Sequence, residues 1–274
     1  MIARSRPEER EPAMKNEPIN DSTPGVVPWP RTINETGLYG IAGEFVKLVQ
    51  PHTEADPNAI LITFLTYAGN CMGRNFYINA GADQHCGNLF CCLVGPTGYG
   101  RKGSAISAVA SFYRHGSPPR LGHLLKGIST GEAVVYEVHD EIYKNTYDKK
   151  AGTNGGGGYV RMLAEPNEPE KRLLIVLSEF QQALANMRKP DSILPSILRT
   201  AWDHGDLATP AKTSRATATG AHVSIVTAMS RDELLKQTDA IDAESGLLNR
   251  FMFCCSKISH LLPQGGKFHS LYKS

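Results

Sequence analysis

The sequence predicts an α/β fold in which a largely parallel sheet carries helices on both faces. Three observations carry that prediction. Short apolar runs recur at 88–94 (NLFCCLV), 173–177 (LLIVL), 222–227 (HVSIVT) and 251–255 (FMFCC), the pattern of strands buried on both faces. Segments of helical spacing lie between them, and that alternation builds parallel sheets. The first run ends in a glycine cluster leading into a helix, a junction suited to holding phosphate groups.

Residues 1–35 are rich in Pro, Glu, Asn and Arg with little apolar clustering, which predicts a disordered tail. A small helical segment is expected at 36–80. Its first helix puts Ile41, Phe45, Val46 and Val49 on one face. Its second opens with Asp56 as N-cap and Pro57 in the first turn, and buries Ile60, Leu61, Phe64 and Leu65. A short strand follows at 76–79. The core proper is expected at 81–266, with 267–274 as a tail. After the run at 88–94, a helix pairs Ala105/Ile106, Ala108/Val109 and Phe112/Tyr113. STGE at 129–132 reads as a capping box opening a helix with Val134, Val138 and Ile142 in line. The stretch 144–171 contains the run NGGGG at 154–158 and few apolar residues, so it predicts a mobile surface loop. Helical spacing returns at 180–187 and 192–202, and a second capping box stands at 230–233 (SRDE).

With 274 residues, 41% hydrophobic and 20% charged, the chain has the composition of a soluble globular protein. A net charge of +2 means that attraction for nucleic acid must come from a local patch. The longest apolar run, 59–68, is far short of the roughly 20 residues of a membrane helix, and the N-terminus lacks the apolar centre of a secretory signal. The expectation is a cytoplasmic protein with no membrane partner. The six cysteines form no CxxC pair, so they read as reduced structural thiols rather than zinc ligands.

The chemistry concentrates in GPTGYGRKGS at 95–104. Glycines allow backbone N–H groups to curl around phosphates, and a helix N-terminus, a lysine and a hydroxyl follow. Lys102 is the expected phosphate contact and Ser104 the expected magnesium ligand. The spacing departs from GxxxxGK[ST], because Arg101 precedes Lys102 and Gly103 separates it from Ser104. The bland alternative is a tight strand-to-helix turn. A rival reading takes Gly98, Gly100 and Gly103 as a dinucleotide fingerprint, which calls for an acidic residue about 20 positions on. No Asp or Glu occurs between Ser104 and Gly131, leaving only an NADP-binding oxidoreductase that uses Arg114 or Arg120. Glu179 ends the run at 173–177, where a carboxylate suits magnesium or a polarised water; otherwise it simply begins the next helix with favourable charge. Thr227 and Ser230 are candidates to sense a terminal phosphate, or plain caps. Arg250 is a candidate to reach transition-state charge, in cis or across a subunit boundary, or a surface arginine. Arg188, Lys189, Lys212 and Arg215 are candidate contacts for nucleic-acid phosphates, or a solvated rim.

Taken in order from Gly37 to Gly266, the segments PHTEADPNAILITFLTYAGNCMGR, NLFCCLVGPTGYGRKGS, STGEAVVYEVHDE, RLLIVLSEFQQAL, LPSILRTAWDHGDL, ATGAHVSIVTAMSRDEL and LLNRFMFCCSKISHLLPQGG resemble one family. It is that of the P-loop "domain of unknown function" ATPases of phage, prophage and plasmid replication proteins, often joined to primase-polymerase modules. The resemblance implies a three-layer RecA/AAA-like P-loop NTPase core that binds ATP and magnesium. It also implies a helicase or primase-helicase role, with single-stranded or duplex DNA, a homo-oligomeric ring or a primase as partners. The family's RKG[ST] loop is matched by Arg101, Lys102, Gly103 and Ser104, within a cradle that includes Gly95, Thr97, Gly98 and Gly100. Its S-E-F strand end is matched by Ser178, Glu179 and Phe180, and its NRF by Asn249, Arg250 and Phe251. The chain departs from the family where members carry a further acidic residue at Leu177 and a Gly-His pair at Thr227 and Ala228. Relatives continue into a helical region past the last strand, so the resemblance implies a truncated C-terminus. These departures bear on hydrolysis and metal binding more than on nucleotide capture.

Overall fold

A computed structural model describes residues 29–30, 32–115, 120–151, 157–210, 216–236 and 246–272. One compact unit spans Thr32–Ser274, and the architecture below is that unit's. The expected disordered tail falls almost wholly outside the described residues, and Lys212, Arg215 and residues 152–156, which include the first half of the glycine run, lie outside them too.

The chain opens with α1 (Gly40–Val49) and α2 (Pro57–Met72). Asp56 caps α2 by accepting the Asn58 N–H at 2.9 Å, and Pro57 takes the first turn, where its missing N–H costs nothing. Strands β1 (Tyr77–Ala80) and β2 (Asp83–Cys86) form an exposed antiparallel hairpin, so the boundary expected at 80/81 falls inside its turn. Next come β3 (Phe90–Val94), α3 (Lys102–His115), β4 (His123–Lys126) and α4 (Gly131–Tyr136). They are followed by the hairpin β5 (Ile142–Asp148) and β6 (Gly158–Glu165). The second half contains β7 (Arg172–Val176), α5 (Phe180–Met187) and α6 (Leu194–Asp203). It closes with the short pair β8 (Leu207–Ala208) and β9 (Thr217–Ala218), then β10 (His222–Met229) and β11 (Phe251–Cys255).

Five strands make one sheet in the order β11-β3-β10-β7-β4, and every pairing in it is parallel. Successive side chains of a strand point to opposite faces, and the core divides accordingly. Phe90, Cys92, Val94, Leu173, Ile175, Val223 and Ile225 pack on one face with α4, α5 and α6. Cys91, Leu93, Leu174, Val226 and Ala228 pack on the other with α1, α2 and α3. The result is a helix–sheet–helix sandwich. The helices expected at 36–80 are therefore part of one outer layer: Phe45 of α1 stacks on Phe64 of α2 at 4.7 Å, and both meet Phe112 of α3.

Three local expectations need correction. Edge strand β4 has no counterpart among the apolar runs, because its four residues alternate half-buried and exposed. The helix expected from 129–132 is capped by Thr130, whose Oγ1 accepts the Ala133 N–H at 3.2 Å; it ends at Tyr136, before Val138, while Ile142 begins β5. The loop expected at 144–171 is largely the β5–β6 hairpin. Aromatic and β-branched residues flank the glycines on both sides, and such flanks pair when a turn brings them together.

Candidate phosphate-binding site

In a parallel sheet all carboxyl ends lie on one side, and the loops leaving neighbouring strands converge there. The loop 95–101 leaves β3, the segment 177–179 leaves β7, and Ser230 follows β10, which lies between those two strands. A cavity of about 900 Å³ opens at this end. Thr97, Gly98, Arg101, Lys102, Gly103 and Ser104 line it from the loop and the start of α3; Ser178 and Glu179 line it from the end of β7, and Ala228, Ser230 and Glu233 from β10 and beyond. A second hollow of about 500 Å³ shares Lys102, Gly103, Ser178 and Glu179, and extends to Lys126 and Leu177.

The loop is held by its own backbone and by the segment after β11. Gly100 N–H donates to the Pro96 carbonyl at 2.8 Å, and Tyr99 N–H to that of Thr97 at 2.9 Å. Gly95 N–H donates to Met229 O at 3.3 Å, tying the loop to β10. Buried Ser256 donates its hydroxyl to the Gly100 carbonyl at 2.6 Å, while its N–H donates to Val94 O at 2.7 Å. A Cβ on Gly95 would collide with the Ser256 carbonyl oxygen, so only glycine fits there. Gly98 (φ 75°) and Arg101 (φ 45°) both adopt left-handed backbone, a conformation costly for a non-glycine residue and frequent where successive N–H groups form an anion-binding concavity. Gly95 and Gly100 are buried beneath the loop, so they shape the cradle without lining the cavity.

Lys102 is the first residue of α3. Its Nζ folds back to donate to the Gly95 carbonyl at 2.6 Å and the Pro96 carbonyl at 3.2 Å. Burial pulls its pKa below the ordinary lysine value, while Glu233 and Cys92 pull the other way. Lys102, Gly103 and Ser104 occupy the opening turn of α3, where N–H groups have no intrahelical acceptor and the helix dipole is positive. Ser104, Ser107, Ser111 and Arg114 share one face of α3, and all four line the cavity. The far wall is made by His52, Thr53 and Phe268.

The other candidates divide. Glu179 stands at the N-cap position of α5, exposed, and its side chain makes no capping hydrogen bond. Leu177 is 5% exposed and belongs to the apolar core. Ser230 is a cap: its Oγ accepts the Glu233 N–H at 3.2 Å, and the Glu233 carboxylate accepts the Ser230 N–H at 2.8 Å. Thr227 is fully buried beneath the cavity, with no partner for its hydroxyl. Arg101 is turned from the loop to an ion pair with Glu54 at 2.6 Å. Arg250 is corrected as a contributor to the chain's own cavity. It precedes β11, level with the start of β3, and so lies at the amino ends of the strands, roughly 20 Å from the loop at about 3.3 Å per residue. There its Nη2 donates to both carboxylate oxygens of Asp203, at the end of α6, at 2.9 and 2.7 Å, and its Nε donates to one of them at 3.1 Å. Arg120 also stands on the amino-end side, before β4. Arg188 and Lys189 follow α5 and do not line the cavity.

Glu54, Ser256 and the cavity role of Glu233 went unread in the sequence, since nothing local ties them to the loop. The serine spacing on α3 was available as a signal. No disulfide joins the described cysteines, and among the described residues no group of three His, Cys, Asp or Glu side chains is placed to hold a metal ion. No helix among them is long and apolar enough to cross a membrane. No family model matches this chain, and no curated protein matches it.

Proposed function

We propose that the chain binds Mg-ATP at this cavity and hydrolyses it, as the RecA/AAA-like P-loop core of a helicase-like DNA replication module from a mobile element. The observation that carries the reading is the convergence of Lys102, Ser104 and Glu179, from two different strands, on one cavity of nucleotide size. Only β10 separates the strand bearing the loop from the strand bearing Glu179. Two strand spacings, roughly 10 Å, leave room for a terminal phosphate and an attacking water between them. Lys102 would exchange its loop carbonyls for phosphate oxygens. Glu179, unengaged as a cap, would orient the water and take its proton. The wall of His52, Phe268 and Arg114 leaves space for base and ribose.

The residues present fit magnesium. Ser104 and Glu179 supply hard oxygen donors, and Mg²⁺ bound with a nucleotide needs only one or two protein ligands beside phosphates and waters. When bound, the ion supplies charge neutralisation at the phosphate oxygens. DNA, a ring of copies or a primase as partners rest on the family resemblance; Arg250 would serve a neighbouring copy only by releasing Asp203.

Strand order weighs against the NADP reading. A dinucleotide fold places its second strand beside the first, where the ribose is read, whereas β4 here lies at the far edge of the sheet. A second reading, nucleotide capture without turnover, is favoured by one feature: Leu177 puts apolar core where a second carboxylate would stand. Steady-state ATP turnover with and without single-stranded DNA separates the two. Hydrolysis in the wild type, reduced on the order of a hundredfold in Glu179→Gln with ATP binding retained, is expected. A wild type that binds ATP and never turns it over would assign the chain to the inert class.

A further inference from the structure

The β5–β6 hairpin carries a feature unrelated to the nucleotide cavity. Its register pairs Tyr143 with Leu163, Asn145 with Arg161 and Tyr147 with Tyr159. Cross-strand partners share a face, so three tyrosines and one arginine stand together on one side. Tyr147 and Tyr159 meet edge to face at 5.5 Å and are 54% and 78% exposed. Arg161 lies 4.3 Å over the ring of Tyr143, the cation–π arrangement expected of diagonal neighbours. Among the described residues the carboxylate at this face is that of Glu141, at the end of the hairpin away from Tyr147 and Tyr159. The nearby acids are all engaged: Glu141 accepts the Tyr143 hydroxyl at 2.6 Å, Asp148 the Lys150 N–H at 2.9 Å, and Glu165 the Tyr136 hydroxyl at 2.5 Å. Lys144, Lys149 and Lys150 are exposed along the same hairpin.

We propose that this tyrosine face is a stacking platform for single-stranded nucleic acid, with bases laid on Tyr147 and Tyr159 and the backbone drawn by Arg161 and the hairpin lysines. Exposed aromatic rings beside cations, at the end of the hairpin away from Glu141, match the two demands of an unpaired strand: a π-face for each base and positive charge for each phosphate. A duplex keeps its bases stacked inside and cannot use the rings. The preference for DNA over RNA rests on the replication reading above; the platform itself does not.

The test is fluorescence anisotropy of the full chain with labelled oligothymidylate, oligouridylate and a mixed-sequence duplex. The variants are Tyr147→Ala/Tyr159→Ala and Tyr147→Phe/Tyr159→Phe. The alanine pair is expected to weaken single-strand binding about tenfold or more, while the phenylalanine pair, which keeps both rings, binds as wild type. Whichever oligomer binds more tightly names the strand. Unchanged affinity in the alanine pair would overturn the proposal, as would a wild type that binds duplex as tightly as single strand. A wild-type dimer that the alanine pair converts to monomer at unchanged DNA affinity would assign the face to self-association and likewise overturn it. Lys102→Ala, which removes the phosphate contact, is expected to leave oligonucleotide affinity intact, so failure here and failure of the ATP reading are distinguishable.

Discussion

Lys102 is held by contacts that an anion could replace. Its ammonium sits on two carbonyls of its own loop, partly buried, beside the carboxylate of Glu233. That Lys102 and Ser104 open a helix after a glycine-rich turn was readable from the residues around them. The partner of Arg101 was not, because Glu54 lies far upstream in sequence and reaches the loop only through the packing of the α1–α2 connection. Another buried residue gives a test of the core. His222 points an imidazole nitrogen at the Gly69 carbonyl, 2.9 Å away, and its other ring nitrogen is buried without a partner. Burial depresses its pKa from 6.5 to about 4. Between those values the unfolded chain binds the proton and the folded chain does not, so stability rises with pH across that window. Full stability is expected above pH 6.5, with a loss on the order of 3 kcal/mol as pH falls to about 4. Urea unfolding across this range checks it. A His222→Asn variant is expected to flatten the dependence, and an unchanged slope would contradict the assignment.

The strands buried on both faces were the most legible elements, because β3, β7 and β10 are continuous apolar runs that no surface segment tolerates. The capping box at Ser230 and Glu233 was legible too, since both of its hydrogen bonds form between residues three apart. Ser230→Ala is expected to cost about 1 kcal/mol, measurable as a lowered unfolding midpoint. A shift indistinguishable from zero would mean that the helix at 231–236 is held by other contacts. What escaped the sequence has a common cause. Strand β4 is a short edge strand whose Leu124 remains 50% exposed, and the β5–β6 hairpin buries almost nothing. Elements that bury little leave little periodicity to read.

At the scale of the whole molecule, the sheet order decides which residues can meet. The sequence named Lys102, Glu179 and Arg250 together, and the parallel sheet separates them by a simple rule. Residues following a strand gather at one end; residues preceding a strand gather at the other. Glu179 follows β7 and reaches the loop's side, whereas Arg250 precedes β11 and clamps it to α6. That rule was available once the strands were read as parallel, but the pairing order, with β10 inserted between β3 and β7, emerges only from the fold. This insertion leaves the gap in which a terminal phosphate and water would stand. The proposed function therefore turns on one residue's contact with phosphate. Binding of labelled ATP, with magnesium and without, should be measured on wild type and Lys102→Ala. Loss of a charge-assisted contact predicts affinity at least tenfold weaker in the variant, with magnesium tightening the wild type. Equal affinity in the two proteins would contradict the phosphate-loop assignment.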